Sequence, residues 1–345
     1  MNSAANAGSP LRVSVLLPVR DAAATLPECL RSLSAQSLED HEVIAVDDGS
    51  RDASGALLEA AARADRRVRV FGGAGRGLVA ALNRALAEAR APLVARMDAD
   101  DVADPRRLEV QVRRLDEEPE TDVLGCRVRL LADPALPDNQ GMRAYVAWLN
   151  GLLDHESIVR DLWVESPLAH PSVVLRTRAL RGLAGYRDFD GPEDYDLWLR
   201  AHTAGLRFGK VDEELLAWRD APDRLTRTDP RYAPSRFRAV KIEALERGPL
   251  RHGRPVAIWG AGPIGKGWAQ ALAARGHAVA AFVEVDPRKI GGVIHGAPVL
   301  GVSAAADLRG LLHLAAVGQP GARAEIRRCV REMGYEEGRD LIAVA

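Results

Sequence analysis

Residues 93–101, LVARMDADD, decide the fold class of this chain. A short apolar run that ends in carboxylates is typical of a strand that is buried in a parallel sheet and followed by a polar loop. On both sides of this segment, short β-branched runs alternate with longer helical stretches, which predicts βαβ units and a doubly wound, mostly parallel α/β sheet. The predicted strands are Val13–Val19, Glu42–Val46, Val68–Phe71, Leu93–Met97 and Val123–Leu131.

Charged side chains follow the first four predicted strands. In a doubly wound sheet, the loops at the carboxyl ends of the strands border the crevice in which ligands bind. We therefore expect one rim to collect Asp21, Asp47, Asp48, Arg76, Asp98 and Asp100. Taken alone, Asp47 and Asp48 fit a turn before the next helix equally well. The coincidence of two acidic strand ends favours ligand binding.

The three carboxylates Asp98, Asp100 and Asp101 allow two interpretations. If the backbone stays extended, Asp98 and Asp100 face the same side and can hold one hard cation, Mg²⁺ or Mn²⁺. Such an ion normally completes its shell with water and phosphate oxygens, which predicts a phosphate-bearing substrate. The alternative is a solvated acidic turn before the next helix, with Asp104 as the N-cap.

Several segments, in order along the chain, resemble the inverting glycosyltransferases of family 2, which have the GT-A fold. These segments are Val13–Val19, Val46–Ser50, Gly77–Asn83, Ala95–Asp101, Ala169–Ser172 and Gly191–Arg200. The resemblance spans about residues 11–230. It implies transfer of a sugar from a nucleotide-diphosphate donor to a hydroxyl of a glycan or lipid-linked acceptor, in the assembly of cell-surface polysaccharide or another glycan.

The resemblance also implies roles for individual residues. The implied nucleotide-sugar contacts are Asp47 and Asp48 at the base, Asp98 near the ribose, Arg76 and Asn83 near the nucleotide, and His170 near the sugar or acceptor. The implied ligand of Mg²⁺ or Mn²⁺ is Asp100. A lone histidine is otherwise more often structural. One departure is Asp21, since the family more often has Asn or Tyr near this position. A carboxylate close to a diphosphate is repulsive unless it faces the base, so Asp21 is a weaker candidate for the site.

Residues 193–200, EDYDLWLR, begin a helix with one apolar side. Carboxylates in a first helical turn are ordinarily stabilised by the free N–H groups and the helix dipole, which is the structural explanation. The resemblance adds a functional one, since the family carries its catalytic base here, and an inverting displacement needs a carboxylate to accept the proton of the acceptor hydroxyl. We assign this role to Asp194, with Glu193 and Asp196 as alternatives.

Residues 256–265, VAIWGAGPIG, contain a second motif, a G-x-G-x-x-G that follows a predicted strand and opens a helix. Gly260 would allow the tight turn, Gly262 the approach of a phosphate, and Gly265 the packing of helix on strand. Glu284 ends the next strand about 20 residues later, where an acceptor for ribose hydroxyls would lie. Alternatively, the glycines pack a small module without a ligand. The region resembles the small Rossmann modules attached to bacterial sugar-modifying acyltransferases.

The length of 345 residues suits one large and one small domain. We predict a GT-A domain at residues 1–247, a Gly- and Arg-rich linker at 248–254, and a small Rossmann-like α/β domain at 255–345. Because the second domain has its own strands and helices, we expect it to be dispensable for catalysis.

The composition excludes several classes of protein. Lys and Arg number 47 against 48 Asp and Glu, so no long-range field favours nucleic acid. The three cysteines lack the spacing of zinc or redox sites. The first ten residues do not resemble a secretory signal, and no apolar run approaches the roughly 20 residues of a membrane helix. We expect a cytoplasmic enzyme, with peripheral membrane contact left open.

Two other functions compete with sugar transfer. A sugar-phosphate nucleotidyltransferase needs a Gly-rich loop soon after the first strand, and residues 17–25 contain no glycine. An NAD-binding oxidoreductase would explain the second motif, but about 90 residues are short for a dinucleotide domain that also carries a substrate pocket.

Overall fold

The computed structural model describes residues 10–132, 139–221 and 224–345. The prediction for the first ten residues therefore lies almost wholly outside the described part. The chain divides into two compact units. Unit 1 comprises Met1–His155, Leu168–Phe189 and Gly205–Thr228, and unit 2 comprises Glu156–Pro167, Asp190–Ala204 and Asp229–Ala345.

Unit 1 is built on a mixed sheet. Its strands are β1 (Val13–Val19), β2 (His41–Asp47), β3 (Val68–Gly72), β4 (Leu93–Arg96), β5 (Val102–Ala103), β6 (Thr121–Ala132), β7 (Val174–Arg176) and β8 (Arg207–Asp220). They lie in the order β3-β2-β1-β4-β7-β6-β8-β5. The first four in this order are parallel, and β7 is antiparallel to both of its neighbours. The predicted mixed α/β fold is confirmed.

The helices of the described residues follow in chain order. They are α1 (Leu26–Ser34), α2 (Ser54–Ala64), α3 (Leu78–Glu88), α4 (Arg107–Glu117), α5 (Gln140–Asn150), α6 (His155–Asp161), α7 (Thr177–Gly182), α8 (Glu193–Thr203), α9 (Leu225–Thr228), α10 (Pro234–Arg247), α11 (Pro263–Ala273) and α12 (Ala322–Glu332). Among them, no helix is long and apolar enough to cross a membrane.

The central strand β1 explains why the functional loops meet. All seven of its residues are buried, as expected for a parallel strand covered on both faces. β1 pairs in parallel with β2 on one side and β4 on the other. Because parallel strands end at the same edge, the loops after β1, β2 and β4 all begin at the carboxyl edge of this sheet.

Two predicted elements differ from the structure. The apolar periodicity of residues 142–161 predicts a single helix, but α5 ends at Asn150 and α6 begins at His155. The break follows Gly151, whose N–H donates to the carbonyl oxygens of Ala147 and Trp148 and so closes α5. Residues 172–175 also read as a strand in the sequence, but β7 begins only at Val174, because His170–Ser172 form a 3-10 turn before it.

The second sheet lies in unit 2. Its strands are β9 (Val256–Trp259), β10 (Val279–Glu284), β11 (Val293–Ile294), β12 (Ala297–Gly301), β13 (Leu312–Ala315) and β14 (Leu341–Ala343), in the order β11-β12-β10-β9-β13-β14. β11 is antiparallel to β12, and the other neighbours are parallel. Apart from β11, the order third-second-first-fourth-fifth is that of the first five strands of a Rossmann-like sheet.

Unit 2 also contains elements that precede the predicted linker. These include most of α6, all of α8 and all of α10. Residues 248–345 are therefore grouped in one compact unit with these earlier elements. The boundary predicted near residue 250 marks where the second sheet begins, and the status of 255–345 as a separate domain stays a prediction.

Candidate functional site

The loop after β4 brings three carboxylates together. One oxygen each from Asp98, Asp100 and Asp101 lies within 4.8 Å of the others. Asp98 and Asp100 are half-buried, and Asp101 is buried. The predicted pair Asp98 and Asp100 thus shares one cluster, and Asp101 joins it.

The charges of this acidic cluster are only partly balanced. Asp98 forms an ion pair with the buried Arg96. Burial, followed by the charge of Asp98, raises the pKa of Asp100 to about 6. Burial and the charges of Asp98 and Asp100 also raise the pKa of Asp101 well above its usual range. The positive charges nearby, of which Arg96 is the one paired with Asp98, therefore compensate the cluster only in part.

A hard divalent cation fits this set of donors. Carboxylate oxygens are the ligands that Mg²⁺ and related ions prefer. The Oδ2 atom of Asp101 is buried and has no hydrogen-bond partner within the described ranges. A buried, unpartnered carboxylate oxygen is costly, so it calls for compensation that a nearby cation can provide.

The acidic loop is held by contacts to its backbone. The Thr25 hydroxyl donates to the Ala99 carbonyl oxygen at 3.1 Å, and the Cys29 thiol donates to that of Asp98 at 3.3 Å. From β8, the Arg219 guanidinium donates to the Asp100 carbonyl oxygen at 2.7 Å. The backbone N–H of Arg219 donates to the Asp101 carboxylate at 2.8 Å. Because these contacts use loop backbone and Asp101, they leave the Asp100 carboxylate available.

The first acidic turn follows β2. Asp48 is buried, and its carboxylate accepts hydrogen bonds from the backbone N–H groups of Arg76 at 2.9 Å and Gly77 at 2.7 Å. Asp47 is half-buried and accepts from the N–H of Ser50 at 2.9 Å, which closes the turn. The predicted proximity of Asp48 and Arg76 is correct at the level of the backbone. The side chain of Arg76 is exposed.

The loop after β1 contacts the first acidic turn. The Asp21 carboxylate accepts from the Arg51 N–H at 2.7 Å, and the Asp21 N–H donates to the Ser50 hydroxyl at 3.1 Å. Asp21 adopts a left-handed backbone conformation with φ of 49°. Its carboxylate therefore stabilises a loop. This structural role explains an acidic residue at a place where the resembled family more often has Asn or Tyr nearby.

The side-chain amide of Asn83 forms hydrogen bonds with the main chain of Tyr186. Its amide donates to the Tyr186 carbonyl oxygen at 2.8 Å and accepts from the Tyr186 N–H at 2.9 Å. The Tyr186 hydroxyl in turn lies 2.9 Å from Nε2 of the buried His170. Burial, followed by the charge of Arg96, lowers the pKa of His170 well below its ordinary value. Asn83 thus positions Tyr186, and His170 is a neutral hydrogen-bonding group.

The three acidic residues of α8 occupy different environments within unit 2. Glu193 is buried and accepts from the Tyr232 hydroxyl at 2.6 Å. Asp196 is buried and pairs with Arg200 at 2.7 Å. Asp194 is half-exposed, and one of its oxygens accepts from the N–H of Tyr195 at 2.7 Å.

The glycine-rich turn of the second sheet has the expected geometry. Gly260 has φ of +100°, and a Cβ at Gly265 would lie 1.9 Å from the Gly260 carbonyl oxygen. A Cβ at Gly262 would meet nothing within 4 Å. The fold therefore requires glycine at positions 260 and 265, whereas Gly262 leaves open space before α11.

Glu284 lies at the end of β10 and has several partners. Its carboxylate accepts from the Ala261 N–H at 3.0 Å and pairs with Lys289 at 3.0 Å. Burial alone would raise its pKa, but these bonds and those from the N–H groups of Val285 and Asp286 lower it. Glu284 therefore ties β10 to the glycine-rich turn, and its contact with a ribose stays a prediction.

Two buried arginines beside the acidic cluster were missed by the sequence analysis. Arg96 pairs with Asp98, and the fully buried Arg107 donates to the Arg96 carbonyl oxygen at 2.9 Å. Gln111, one turn along α4, accepts from Arg107 at 3.1 Å. The signal for Arg96 was present, because it is the one charged residue in the apolar run before Asp98.

The fold and the acidic strand ends define a glycosyltransferase with the GT-A fold. Residues 14–156 match the model of Glycosyl transferase family 2. EpsE of Bacillus subtilis (strain 168), a protein named as a glycosyltransferase, is 30% identical over 227 residues, which are 64% of this chain and 78% of that protein. The chain belongs to glycosyltransferase family 2.

Further relatives and solved structures are also similar to this chain. The O-antigen biosynthesis glycosyltransferase WbnJ of Escherichia coli is 27% identical over 60% of this chain and 79% of its own. S. aureus TarS 1-349 in complex with UDP-GlcNAc has a TM-score of 0.53 at 18% identity, covering 76% of this chain and 80% of that one. The mannosyltransferase PcManGT of Pyrobaculum calidifontis, in complex with GDP-Man and Mn²⁺, has a TM-score of 0.50 at 17% identity, covering 95% and 82%.

Proposed function

We propose that this enzyme transfers a sugar, with inversion at the anomeric carbon, from a nucleotide-diphosphate sugar to an acceptor hydroxyl, and that it depends on Mg²⁺ or Mn²⁺. The acidic cluster of Asp98, Asp100 and Asp101 after β4 carries this proposal. The complexes of the structural neighbours with UDP-GlcNAc and with GDP-Man and Mn²⁺ support it. Family membership sets aside a nucleotidyltransferase or an oxidoreductase as the main activity.

Asp100 is the proposed metal ligand. Burial and the charge of Asp98 raise the pKa of this half-buried carboxylate to about 6, so a nearby cation would stabilise its ionised form. A divalent cation there supplies positive charge to the diphosphate leaving group. Asp98 is already paired with Arg96, which supports its assignment to the ribose rather than to the metal.

The loops after β2 and β3 are the proposed nucleotide contacts. Asp47 and Asp48 would bind the base, and the exposed side chain of Arg76 lies on the loop that Asp48 holds in place. A direct nucleotide contact of Asn83 has less support, because its amide is engaged by Tyr186. His170, neutral and bound to Tyr186, is proposed to hydrogen-bond the sugar or acceptor.

Asp194 is the proposed catalytic base. It would accept the proton of the acceptor hydroxyl as the bond to the anomeric carbon forms. Its half-exposed carboxylate supports this choice over Glu193 and Asp196, which are buried against Tyr232 and Arg200. The proton on Asp194 is then released to solvent.

The biological setting and the second sheet are further proposals. The relative WbnJ is named for O-antigen biosynthesis, which supports a glycan acceptor. A lipid-linked acceptor, a cytoplasmic location and peripheral membrane contact are proposed from the sequence alone. For the second sheet we propose a phosphate-bearing ligand at Gly260, Gly262 and Gly265, near Glu284. The open space at Gly262 supports it.

A thermal-stability screen tests the proposed function. UDP-, GDP-, dTDP- and CDP-sugars should be compared with and without Mn²⁺, since a bound donor stabilises the folded state by mass action. We expect one nucleotide class to raise the melting temperature only with the metal. Equal stabilisation without metal, or none by any donor, would contradict the proposal.

A further inference from the structure

The first turn of α8 is anchored through Tyr195, the neighbour of Asp194. Tyr195 is completely buried, and its hydroxyl donates to the Leu162 carbonyl oxygen at 2.7 Å. Its ring lies 5.4 Å from that of Phe237 on α10. The backbone that carries Asp194 is therefore set by what holds residues 161–164 and α10.

Lys241 of α10 links that anchor to the second sheet. It is buried, and its ammonium group lies 5.8 Å from the centre of the Tyr195 ring. The same group donates to the carbonyl oxygens of Val164 at 2.8 Å and Val344, just after β14, at 3.2 Å. Burial lowers the pKa of Lys241 to about 8, an effect that Glu165 opposes. One lysine thus connects the C-terminal strand with the segment that binds Tyr195.

A second connection runs parallel to the first. Asp161, at the end of α6, is buried and accepts from Arg327 of α12 at 2.5 Å. Arg327 also pairs with Glu337 at 2.6 Å. Val164 packs against the apolar core around Trp259 of the second sheet. Residues 161–164 are therefore held by elements that follow the predicted linker.

We infer that Lys241 is a positioning residue for the base, and that the second sheet, through Lys241, sets the backbone at the start of α8. The inference rests on the proposed role of Asp194. It gives the C-terminal sheet a task in sugar transfer that needs no ligand of its own.

The variant Lys241→Met tests this, because it keeps the apolar stem and removes the donors. Arg247→Met is the matched control, on the same helix with a side chain that is 44% exposed. Release of nucleoside diphosphate from UDP-GlcNAc and from GDP-mannose is measured with Mn²⁺. We expect kcat to fall about tenfold with little change in donor KM for Lys241→Met, and no change for the control.

A double-mutant cycle separates this inference from the proposed function. If Lys241 acts through Asp194, Lys241→Met should cause no further loss in an Asp194→Asn background. Fully multiplicative losses, or an unchanged kcat for Lys241→Met beside a strong loss for Asp194→Asn, would overturn the inference alone. An Asp194→Asn variant with normal kcat would overturn the role of Asp194 itself, and the inference with it.

Hydrogen exchange gives a readout that needs no donor. Amides at the start of α8 should exchange faster in Lys241→Met than in the unmodified protein, whereas those of α3 in unit 1 should not change. Unchanged exchange at residues 195–198 would overturn the inference whether or not either sugar nucleotide is turned over.

Discussion

Asp100 and Asp194 are both carboxylates at the start of a loop or helix, yet their surroundings suit them to different tasks. Asp100 is crowded by Asp98, which favours cation binding, whereas the acidic neighbours of Asp194 are neutralised or hydrogen-bonded. Both residues are candidates from the sequence alone, and their roles stay predictions. Their environments were not predictable from it, because the burial of Asp100 and the contact of Tyr232 with Glu193 arise only in the folded chain.

Replacing Asp100 tests the metal assignment. Asp100→Ala should abolish Mn²⁺-dependent stabilisation by the donor while the fold stays intact, because no neutral group nearby can replace the carboxylate. Asp116→Ala, which removes a side chain that is 57% exposed and pairs with Arg12, is the control. Calorimetric titration of donor with and without Mn²⁺ measures the effect. Unchanged donor affinity in Asp100→Ala would exclude this residue as the ligand.

The raised pKa of Asp100 predicts a pH dependence of stability. Because the pKa is about 6 in the folded protein against an ordinary 3.8, the folded state binds more protons than the unfolded state between these values. Without metal, the free energy of unfolding should therefore fall as the pH rises through this window. Asp100→Asn should make that fall shallower, as measured by urea unfolding at several pH values. An identical slope in the variant would show that Asp100 does not titrate there.

Replacing Asp194 tests the base. Asp194→Asn should lower turnover by about 10² or more at nearly unchanged donor affinity, because the amide keeps the shape and cannot accept the proton. Glu193→Gln and Asp196→Asn are the comparison variants. Steady-state kinetics with a sugar nucleotide and Mn²⁺ decide the matter. Normal turnover in Asp194→Asn, with loss in one of the others, would move the role to that residue.

At the scale of elements, the strands were easier to predict than the turns. The buried run of β1 and the helix α10 follow directly from apolar patterning and from a proline at the helix start. The break after Gly151 was missed because the apolar spacing continues through it. In the glycine-rich turn, Gly260 and Gly265 have the steric surroundings expected of them, whereas the approach of a phosphate at Gly262 stays a prediction.

A pair of glycine variants tests that steric account. Gly265→Ala should destabilise the protein by at least about 1–3 kcal/mol, because its Cβ would overlap the Gly260 carbonyl oxygen. Gly262→Ala should have little effect, because its Cβ meets open space. Chemical denaturation monitored by tryptophan fluorescence measures both. Equal stabilities for the two variants would contradict the account.

At the scale of the whole molecule, the inference about Lys241 conflicts with one expectation drawn from the sequence. The sequence suggests a dispensable second domain, because residues 255–345 have their own strands and a glycine-rich turn. Within unit 2, however, Lys241 donates a hydrogen bond to the carbonyl oxygen of Val344, and Asp161 accepts one from Arg327. Sequence patterns within one segment cannot reveal such contacts, which join residues more than 100 positions apart.

Truncation after Arg247 tests this revised view. The shortened chain should lose most turnover, because Lys241 and residues 161–164 lose their partners. Mn²⁺-dependent donor binding should survive in part, because Asp48 and Asp100 belong to unit 1. Melting curves and kinetics beside the full-length protein measure both effects. A truncated protein with full stability and turnover would restore the original expectation.

The most direct test of metal-dependent, inverting sugar transfer is the stereochemistry of turnover. Full-length enzyme is incubated with the α-linked donors UDP-GlcNAc and GDP-mannose and Mn²⁺, and the anomeric protons of the newly released or transferred sugar are followed by NMR. The account predicts that the β anomer forms first and that chelation of the metal stops the reaction. First formation of the α anomer, or undiminished turnover after chelation, would contradict it.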